Sequence, residues 1–410
     1  MTIIVFESCT VFDGINEEPL EDASVVIENS RIKEVTSGSV IYPDVHRINC
    51  GGRLLMPGLI DAHVHAYTPT ANFFGNDHLP PALMANHAAA ILEGMLKRGF
   101  TSVRDAGGAD KGLSLAIEQG LIRGPRLFYS GKALSQTGGH GDMRPGDAIQ
   151  PCGCGSYSGS ISRVVDGVDE MRKAVREELR QGAHQIKLFV SGGVSSPTDP
   201  IWMNQFTEEE IRTAVYEAST RRAYVMAHCH TEEAIRRCVD YGVRSIEHGS
   251  TIGDDTAKII AEKEVFVVPT LSIVDVVRQH GDDMALPASS MDKIHGLYDS
   301  MLRAIEACTR AGAKLGLGSD LLGNQYHPLQ GGELAKRGEV NTPIEVLRSA
   351  TSVNAELLQM SGELGCIAPG AYADILLLDF DPFKDLSGFE HPEKNIPLVM
   401  KGGQLIRNTL

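Results

Sequence analysis

Eight short apolar runs in the middle of the chain constrain its fold more than any other feature. Each run ends in a polar or glycine-rich loop, and the segments between the runs show helical periodicity. One such segment starts with Thr207 and has Glu210 three residues later, a capping-box pattern that predicts a helix start. Strands that alternate with helices in this way predict the α/β class and a parallel (β/α)8 TIM-like barrel. The runs are 59–65, 100–105, 126–131, 185–193, 224–230, 244–250, 265–272 and 314–320.

An open, doubly wound parallel sheet is the alternative for such an alternation. That fold commonly opens its first helix with a G-x-G-x-x-G motif, which binds a dinucleotide. No such motif opens a helix after the first apolar run, residues 59–65. The barrel is therefore the preferred prediction.

The two ends of the chain carry a different pattern, in which short apolar and polar runs alternate. In residues 1–56 the runs are separated by turn signals such as Asp13-Gly14, and they predict an antiparallel β-meander. The last part of the chain, from residue 373, repeats the pattern. Neither end alone holds enough strands to be stable, so we expect the ends to form one small β-sandwich domain. The predicted domain bounds are 1–56 and 361–410 for the sandwich and 57–360 for the barrel.

Charge and hydropathy exclude some classes of function. The chain has 38 Lys and Arg against 53 Asp and Glu, a net charge of −15. Such an acidic surface repels phosphate backbones, so we expect no nucleic-acid partner. No stretch approaches the roughly 18 apolar residues of a membrane span. The first residues look like a β-strand and lack a basic segment, so we expect no signal peptide and a cytoplasmic protein.

The eight cysteines are scattered along the chain, and we expect them to be free thiols in a reducing compartment. Cys152 and Cys154 are the one closely spaced pair. No second pair lies nearby, so a zinc-knuckle interpretation is weak and a glycine-rich loop with two incidental thiols is favoured.

Polar side chains lie in or at the ends of five of the eight predicted strands. A barrel fold places its catalytic groups at the C-terminal ends of its strands. His63 and His65 are two residues apart, so a strand presents both on the same face. A single histidine at a strand end is more often structural than a ligand. Burying the whole set without a common partner would cost about 1–3 kcal/mol for each unpaired polar group. A metal cluster offers such a partner; the set is His63, His65, Lys187, His228, His248 and Asp320.

These residues, in this order, resemble the ligand pattern of the amidohydrolase superfamily. The segments LLMPGLIDAHVH (54–65) and GCIAPGAYADILLLD (365–379) are also typical of that superfamily. The resemblance implies a hydrolase with two divalent metal ions, expected to be Zn²⁺, and a metal-bound hydroxide that attacks an amide carbonyl. One metal would be held by His63, His65 and Asp320, and the other by His228 and His248. Asp320 would act as the general base that passes a proton to the leaving nitrogen.

Lys187 lies inside an apolar run, where burial lowers the pKa of a lysine. A neutral amine can react with CO₂, and the resemblance implies that Lys187 is N6-carboxylated and bridges the two metals. The alternative is a lysine that buries its stem and extends its charge to solvent. That alternative fits poorly on a strand that lines a barrel.

Two loop motifs narrow the resemblance to one branch of the superfamily. TGGHGDMRP (137–145) and the residue His230, next but one to His228, are similar to features of metal-dependent Xaa-Pro dipeptidases, Xaa-Arg carboxypeptidases and N-acyl amino-acid hydrolases. In that branch the position of His140 assists catalysis at the substrate carbonyl, and the position of His230 helps to bind the substrate carboxylate. The structural alternative for His140 is a residue of a plain turn.

Further substrate contacts are predicted from residue type alone. Arg144 is a candidate carboxylate clamp, because a guanidinium binds a carboxylate bidentately. Tyr326 is a further candidate contact, and residues 191–193 and His327 are expected at the rim. Glu247 is left out, because alternation along a strand points it away from the face of His248.

The expected substrate is a small molecule or dipeptide with a free carboxylate, an Xaa-Pro dipeptide or an N-acyl apolar amino acid. The Met, Tyr and Trp202 content of the loops favours an apolar group. The alternatives are a cyclic-amide hydrolase similar to imidazolonepropionase, a deaminase and a non-catalytic scaffold. Lys187 counts against a deaminase, and the complete ligand set counts against a scaffold. We expect the chain to form a homo-oligomer.

Overall fold

The computed structural model describes residues 2–147, 157–196, 198–284 and 288–410. Cys152 and Cys154 lie outside the described residues. The strands are β1 (Ile3–Val11), β2 (Leu20–Glu28), β3 (Arg31–Ser37), β4 (His46–Asn49), β5 (Leu54–Pro57), β6 (Leu59–Val64), β7 (Phe100–Asp105), β8 (Arg126–Tyr129), β9 (Ala133–Ser135), β10 (Ser162–Val164), β11 (Gln185–Phe189), β12 (Tyr224–Cys229), β13 (Ser245–His248), β14 (Phe266–Val268), β15 (Lys314–Leu315), β16 (Ile375–Leu378), β17 (Leu398–Lys401) and β18 (Gln404–Asn408).

Helices fill the segments between the central strands, as the periodicity predicts. Thr207 and Glu210 form the predicted capping box at the start of α5. Among the described helices, none is both long and apolar enough to cross a membrane. The helices are α1 (Phe73–Asn76), α2 (Pro81–Lys97), α3 (Lys111–Glu118), α4 (Val168–Arg180), α5 (Glu208–Ser219), α6 (Glu232–Tyr241), α7 (Asp254–Glu262), α8 (Leu271–His280), α9 (Ala288–Ile294), α10 (Leu297–Ala311), α11 (Gly332–Arg337), α12 (Pro343–Arg348), α13 (Asn354–Leu357) and α14 (Pro392–Asn395).

Every one of the eight predicted runs contains a strand, and these strands pair in parallel. They lie in two ladders, β6-β7-β8 and β10-β9-β11-β12-β13-β14-β15. From β11 to β15 the spatial order follows the chain order, without the reversal that defines a doubly wound sheet. The order of strands in the described residues therefore favours the barrel-like arrangement.

The third predicted run, 126–131, contains β8, and the next strand, β9, belongs to the other ladder. β8 pairs with β7, whereas β9 follows Gly131 and pairs with β11. Gly131 has a φ of 71°, and a side chain there would collide with the Glu178 carboxylate. The chain can change direction at this glycine because no Cβ is present.

The other division between the ladders lies between β6 and the segment after β15. The Ala62 N–H donates to the Leu317 carbonyl at 2.8 Å, and the Asp320 N–H donates to the His63 carbonyl at 2.8 Å. Asn354 joins the same two segments from the side. Its Nδ2 donates to the carbonyls of Ile60 and Leu317 at 2.7 and 2.8 Å. These contacts place His63, near the end of β6, beside Asp320 in the segment after β15.

Both ends of the chain contribute to one eight-stranded sheet, in the order β18-β17-β16-β5-β1-β2-β3, with β4 also paired to β1. The antiparallel pairing of β5 with β16 joins the two ends, as the strand count required. The prediction of a purely antiparallel meander is wrong, because β4 and β5 both run parallel to β1. The division into domains at residues 56 and 360 stays a prediction.

Replacing Asn354 by alanine should lower the free energy of unfolding by about 1–3 kcal/mol, because it removes the hydrogen bonds from its side chain to the buried carbonyls of Ile60 and Leu317. Urea denaturation of the purified protein measures this change. Asn86→Ala is the matched control, since Asn86 also donates to one carbonyl, that of Ala82, but from an exposed helix face. Equal unfolding midpoints for the two variants would show that Asn354 does not join the strands.

Candidate active site

A cavity of about 70 Å³ contains the polar residues predicted at the strand ends. We call its charged and imidazole residues the polar cluster and its hydrocarbon residues the apolar lining. The polar cluster is His63, His65, His140, Lys187, His228, His230, His248 and Asp320. The apolar lining is Phe73, Met143, Ile161, Phe189, Val194, Ile273, Val274, Val277, Met284, Ile294 and Leu322.

Three members of the polar cluster form a group with the spacing of metal ligands. One ligand atom from each of His63, His65 and Asp320 lies within 4.8 Å of the others. Asp320 Oδ1 is 3.4 Å from His65 Nε2 and 3.6 Å from His63 Nε2. Imidazole nitrogens and a carboxylate oxygen are the donors that Zn²⁺ commonly takes in catalytic sites. The structure thus brings together the residues predicted to hold the first metal.

Hydrogen bonds at Nδ1 orient several of these imidazole rings. His63 Nδ1 is 2.6 Å from Glu247 Oε2, and His65 Nδ1 is 2.9 Å from the Gly107 carbonyl. His248 Nδ1 is 2.7 Å from Thr270 Oγ1. When Nδ1 carries the proton of such a bond, Nε2 is left with a lone pair for a metal. The rings are therefore arranged as Nε2 donors.

His228 is turned the other way. Its Nε2 is 3.3 Å from the Gly192 carbonyl, so Nδ1 is the nitrogen left for a metal. The ring centroids of His228 and His248 are 4.5 Å apart. Lys187 Nζ is 3.5 Å from His63 Nε2, on the first group of ligands. Lys187 therefore lies in the same cavity as both predicted ligand sets, as a bridging role requires.

Burial controls the charge of the polar cluster. It lowers the pKa of His65 to about 3, and it holds the pKa values of His63 and His228 well below the ordinary value. Burial also lowers the pKa of Lys187 to about 8 and raises that of Asp320 to about 8. Neutral imidazoles keep their lone pairs, which is the form that binds a cation. The donor atoms of the cluster fit a divalent metal centre, and its imidazoles also fit it in their protonation.

His248 and Asp320 reach the cavity through unusual backbone conformations. Their φ angles are 70° and 53°, in the left-handed region that residues with a Cβ rarely adopt. Such a conformation costs about 1–3 kcal/mol and is found mostly where function requires it. At His248 it interrupts the alternation of side chains along β13.

This interruption explains why the sequence pattern did not predict the contact between Glu247 and His63. Strict alternation assigns Glu247 and His248 to opposite faces, and only one of them to the site. In the structure Glu247 points inward and contacts His63, while the φ of His248 brings that side chain to the cavity as well. Glu247 does not line the cavity, but its contact with His63 was not predicted. A buried acid directly before a ligand histidine was the available signal.

His140 and His230 both line the cavity beside His228. The His140 ring stacks on His228 with centroids 4.3 Å apart, and its Nδ1 lies 2.6 Å from Ser196 Oγ. His230 Nδ1 lies 2.7 Å from Ser250 Oγ, and burial lowers the pKa of His230 to about 3. Both side chains are thus fixed at the edge of the metal ligands, where a substrate would meet them.

The structure does not bring Arg144 or Tyr326 to the cavity lining. The Arg144 guanidinium is held by both carboxylate oxygens of Asp142, two residues away, so it already has a bidentate partner. Tyr326 is buried and stacks on His280 at 5.4 Å. Trp202, taken as a sign of an apolar pocket, is 75% exposed. The apolar lining consists instead of aliphatic side chains, methionines and two phenylalanines.

Comparisons with known proteins agree with this geometry. The chain matches the amidohydrolase family over residues 54–406. A solved prolidase, in complex with N-methylphosphonate-L-proline, is 47% identical with a TM-score of 0.96, and the match covers 100% of both chains. A Xaa-Pro dipeptidase with bound methionine is 28% identical, with a TM-score of 0.89 over 99% of this chain and 100% of that chain.

A third relative is ochratoxinase from Aspergillus niger. It is 32% identical over 412 aligned residues, which cover 95% of this chain and 84% of that protein. The family implies a TIM-barrel-like α/β fold with a β-sandwich domain, and it hydrolyses amide bonds. The order of the strands, the ligand group at their ends and these matches lead to one conclusion: the chain belongs to the amidohydrolase family.

Proposed function

We propose that this protein is a binuclear-metal amidohydrolase that releases the C-terminal amino acid from Xaa-Pro dipeptides or N-acyl amino acids. The observation that carries the proposal is the grouping of His63, His65 and Asp320 around a cavity shared with Lys187 and His228. We also propose that the two ladders form one (β/α)8 barrel, supported by the hydrogen bonds between β6 and the segment after β15.

In this proposal His63, His65 and Asp320 hold one metal, and His228 and His248 hold the other. Lys187, carboxylated at its ε-nitrogen, would supply an anionic oxygen ligand to both. The burial that lowers its pKa to about 8 favours the neutral amine, which is the form that reacts with CO₂. When bound, divalent ions such as Zn²⁺ polarise a carbonyl and lower the pKa of a water towards neutrality.

The residues of the cavity have separate proposed roles in catalysis. Asp320 is the general base, because its carboxylate lies beside His63 and His65 and can take a proton and pass it to the leaving nitrogen. His140 contacts the substrate carbonyl from its position stacked on His228. Ser196 fixes the orientation of that ring through Nδ1. The apolar lining excludes water from the scissile bond.

The proposed substrate class follows from the charges in the cavity. In the described residues, Lys187 is the one basic group other than histidine that lines it, and Asp320 is the one acid. A basic side chain of the substrate would find no acidic partner beyond the metal ligand Asp320, whereas the apolar lining accepts proline or a hydrocarbon side chain. The solved prolidase bound to a proline phosphonate supports the same class. His230 is proposed to contact the free carboxylate.

The metal centre is tested through Lys187. The wild-type protein, purified without chelator, should contain about two divalent ions per chain by elemental analysis. Lys187→Ala should contain fewer and should lower kcat/KM by at least about 100-fold, since loss of a group that merely orients a ligand already costs about 10–100-fold. Added short carboxylates such as acetate should restore part of the activity by replacing the carbamate.

Lys401→Ala is the matched control for this variant. Burial also lowers the pKa of Lys401 to about 8, but its Nζ donates to the Gly124 carbonyl outside the cavity. Its metal content and kcat/KM should equal those of the wild type. Normal metal content and activity in Lys187→Ala would contradict the bridging role, and a metal-free wild type would contradict the mechanism.

The substrate carboxylate is tested by blocking it. A charge-assisted contact contributes roughly 1.5–3 kcal/mol, so conversion of the carboxylate to an amide should lower kcat/KM about 10- to 150-fold. His230→Ala should lose a similar factor on free acids and much less on the blocked analogues. His184→Ala is the control, a histidine outside the cavity whose Nδ1 accepts from the Tyr129 N–H.

A substrate screen separates this proposal from its main alternative. Xaa-Pro, Xaa-Arg, Xaa-Phe and N-acyl amino-acid libraries should be compared with imidazolonepropionate and hydantoins. Turnover of Xaa-Pro or N-acyl apolar substrates supports the proposed class. Turnover of the cyclic amides alone would contradict it while leaving the metal chemistry intact.

A further inference from the structure

A buried polar group lies beneath His63, on the side away from the cavity. It consists of Glu247, Arg104 and Ser245, all buried. Arg104 Nη2 donates to both carboxylate oxygens of Glu247 at 2.9 Å. Ser245 Oγ donates to Glu247 Oε1. The carboxylate is thus held in one orientation from two directions.

The free side of this carboxylate faces a metal ligand. Glu247 Oε2 is 2.6 Å from His63 Nδ1. An ionised carboxylate only accepts hydrogen bonds, so Nδ1 must carry the proton and Nε2 must carry the lone pair. That nitrogen lies 3.6 Å from Asp320 Oδ1 and 3.5 Å from Lys187 Nζ. Glu247 therefore selects the tautomer of His63 that can bind a metal on the cavity side.

Arg104 also contacts the backbone next to His63. Its Nε donates at 2.6 Å to the carbonyl of Ala62, the residue before His63. The same guanidinium therefore holds the backbone next to the ligand and the acid that orients the ligand ring. A simple surface ion pair would do neither. The coupling explains why a charged pair is retained in the interior of the strands, where burial of charge is costly.

We infer that Glu247, held in place by Arg104, is a positioning residue that fixes His63 as an Nε2 donor to the metal. This inference rests on the proposed function, because it requires that a metal binds at His63. It assigns to Glu247 an effect on metal affinity that a purely structural ion pair would lack.

Glu247→Gln tests the inference with little change in volume. If the glutamine oxygen faces Arg104, its amide N–H faces His63 Nδ1 and favours the tautomer with a proton on Nε2, which cannot bind a metal. If the amide is reversed, its N–H groups oppose Arg104. Either arrangement should weaken binding of the tightest zinc ion about 10–100-fold, the usual effect of losing a partner that orients a ligand.

The measurement is the zinc dissociation constant of the full-length protein, by competition with a chromophoric chelator. Urea unfolding of the metal-free protein is measured alongside it. Glu178→Gln is the matched control, because Glu178 is also buried and paired with an arginine, Arg163, but contacts no ligand. Its zinc affinity should equal that of the wild type.

The outcomes separate the inference from the proposed function. A wild type that binds no zinc contradicts the proposed function. Zinc binding by the wild type with unchanged affinity in Glu247→Gln overturns the inference, even if the variant is less stable. If Glu247→Gln does not fold, Glu247→Asp replaces it. That variant keeps the charge opposite Arg104 but withdraws from His63, so unchanged zinc affinity would equally overturn the inference.

Discussion

The rest of the site depends on one constraint, the burial of four ligand imidazoles, a lysine and a carboxylate in one cavity. Desolvation disfavours charge on each of them, so the histidines are held neutral and the lysine and the acid have pKa values near 8. A common cation resolves the constraint, because it binds neutral imidazole and carboxylate at once. The backbone strain at His248 and Asp320 is explained by the same need to bring donor atoms together in the cavity. Two residues adopt costly conformations, and the side chains of both reach the same cavity.

The residues around the predicted metal ligands fix the orientation of the ligand rings. His63, His65 and His248 each have Nδ1 engaged by a different acceptor, an acid, a carbonyl and a hydroxyl. Beyond them the cavity becomes hydrocarbon, and α8 supplies several of its side chains. The polar cluster thus lies next to the apolar lining in one cavity. This combination suits an amide whose acyl or amino side chain is apolar.

The sequence predicted the parts of this protein that follow from periodicity and from residue type. All eight strand runs and the capping box at Thr207 were confirmed, because each is a local pattern. The grouping of His63, His65 and Asp320 was also confirmed, because strand ends in a parallel barrel meet at one face.

The errors came from information that a local pattern does not contain. The contact of Glu247 with His63 was missed, because strict alternation does not anticipate the φ of His248. Arg144 was chosen for its chemistry alone, without knowledge that Asp142 occupies it. The parallel pairing of β4 and β5 with β1 depends on how distant segments return to the sheet. Each of these features is set by tertiary contacts.

Anomalous diffraction can show directly whether the polar cluster holds two divalent metals. Crystals grown with zinc should be measured above and below the zinc absorption edge. Two peaks are expected inside the cavity, one contacted by His63, His65 and Asp320 and one by His228 and His248, with Lys187 between them. A cavity without peaks, or zinc bound only elsewhere on the protein, would contradict it.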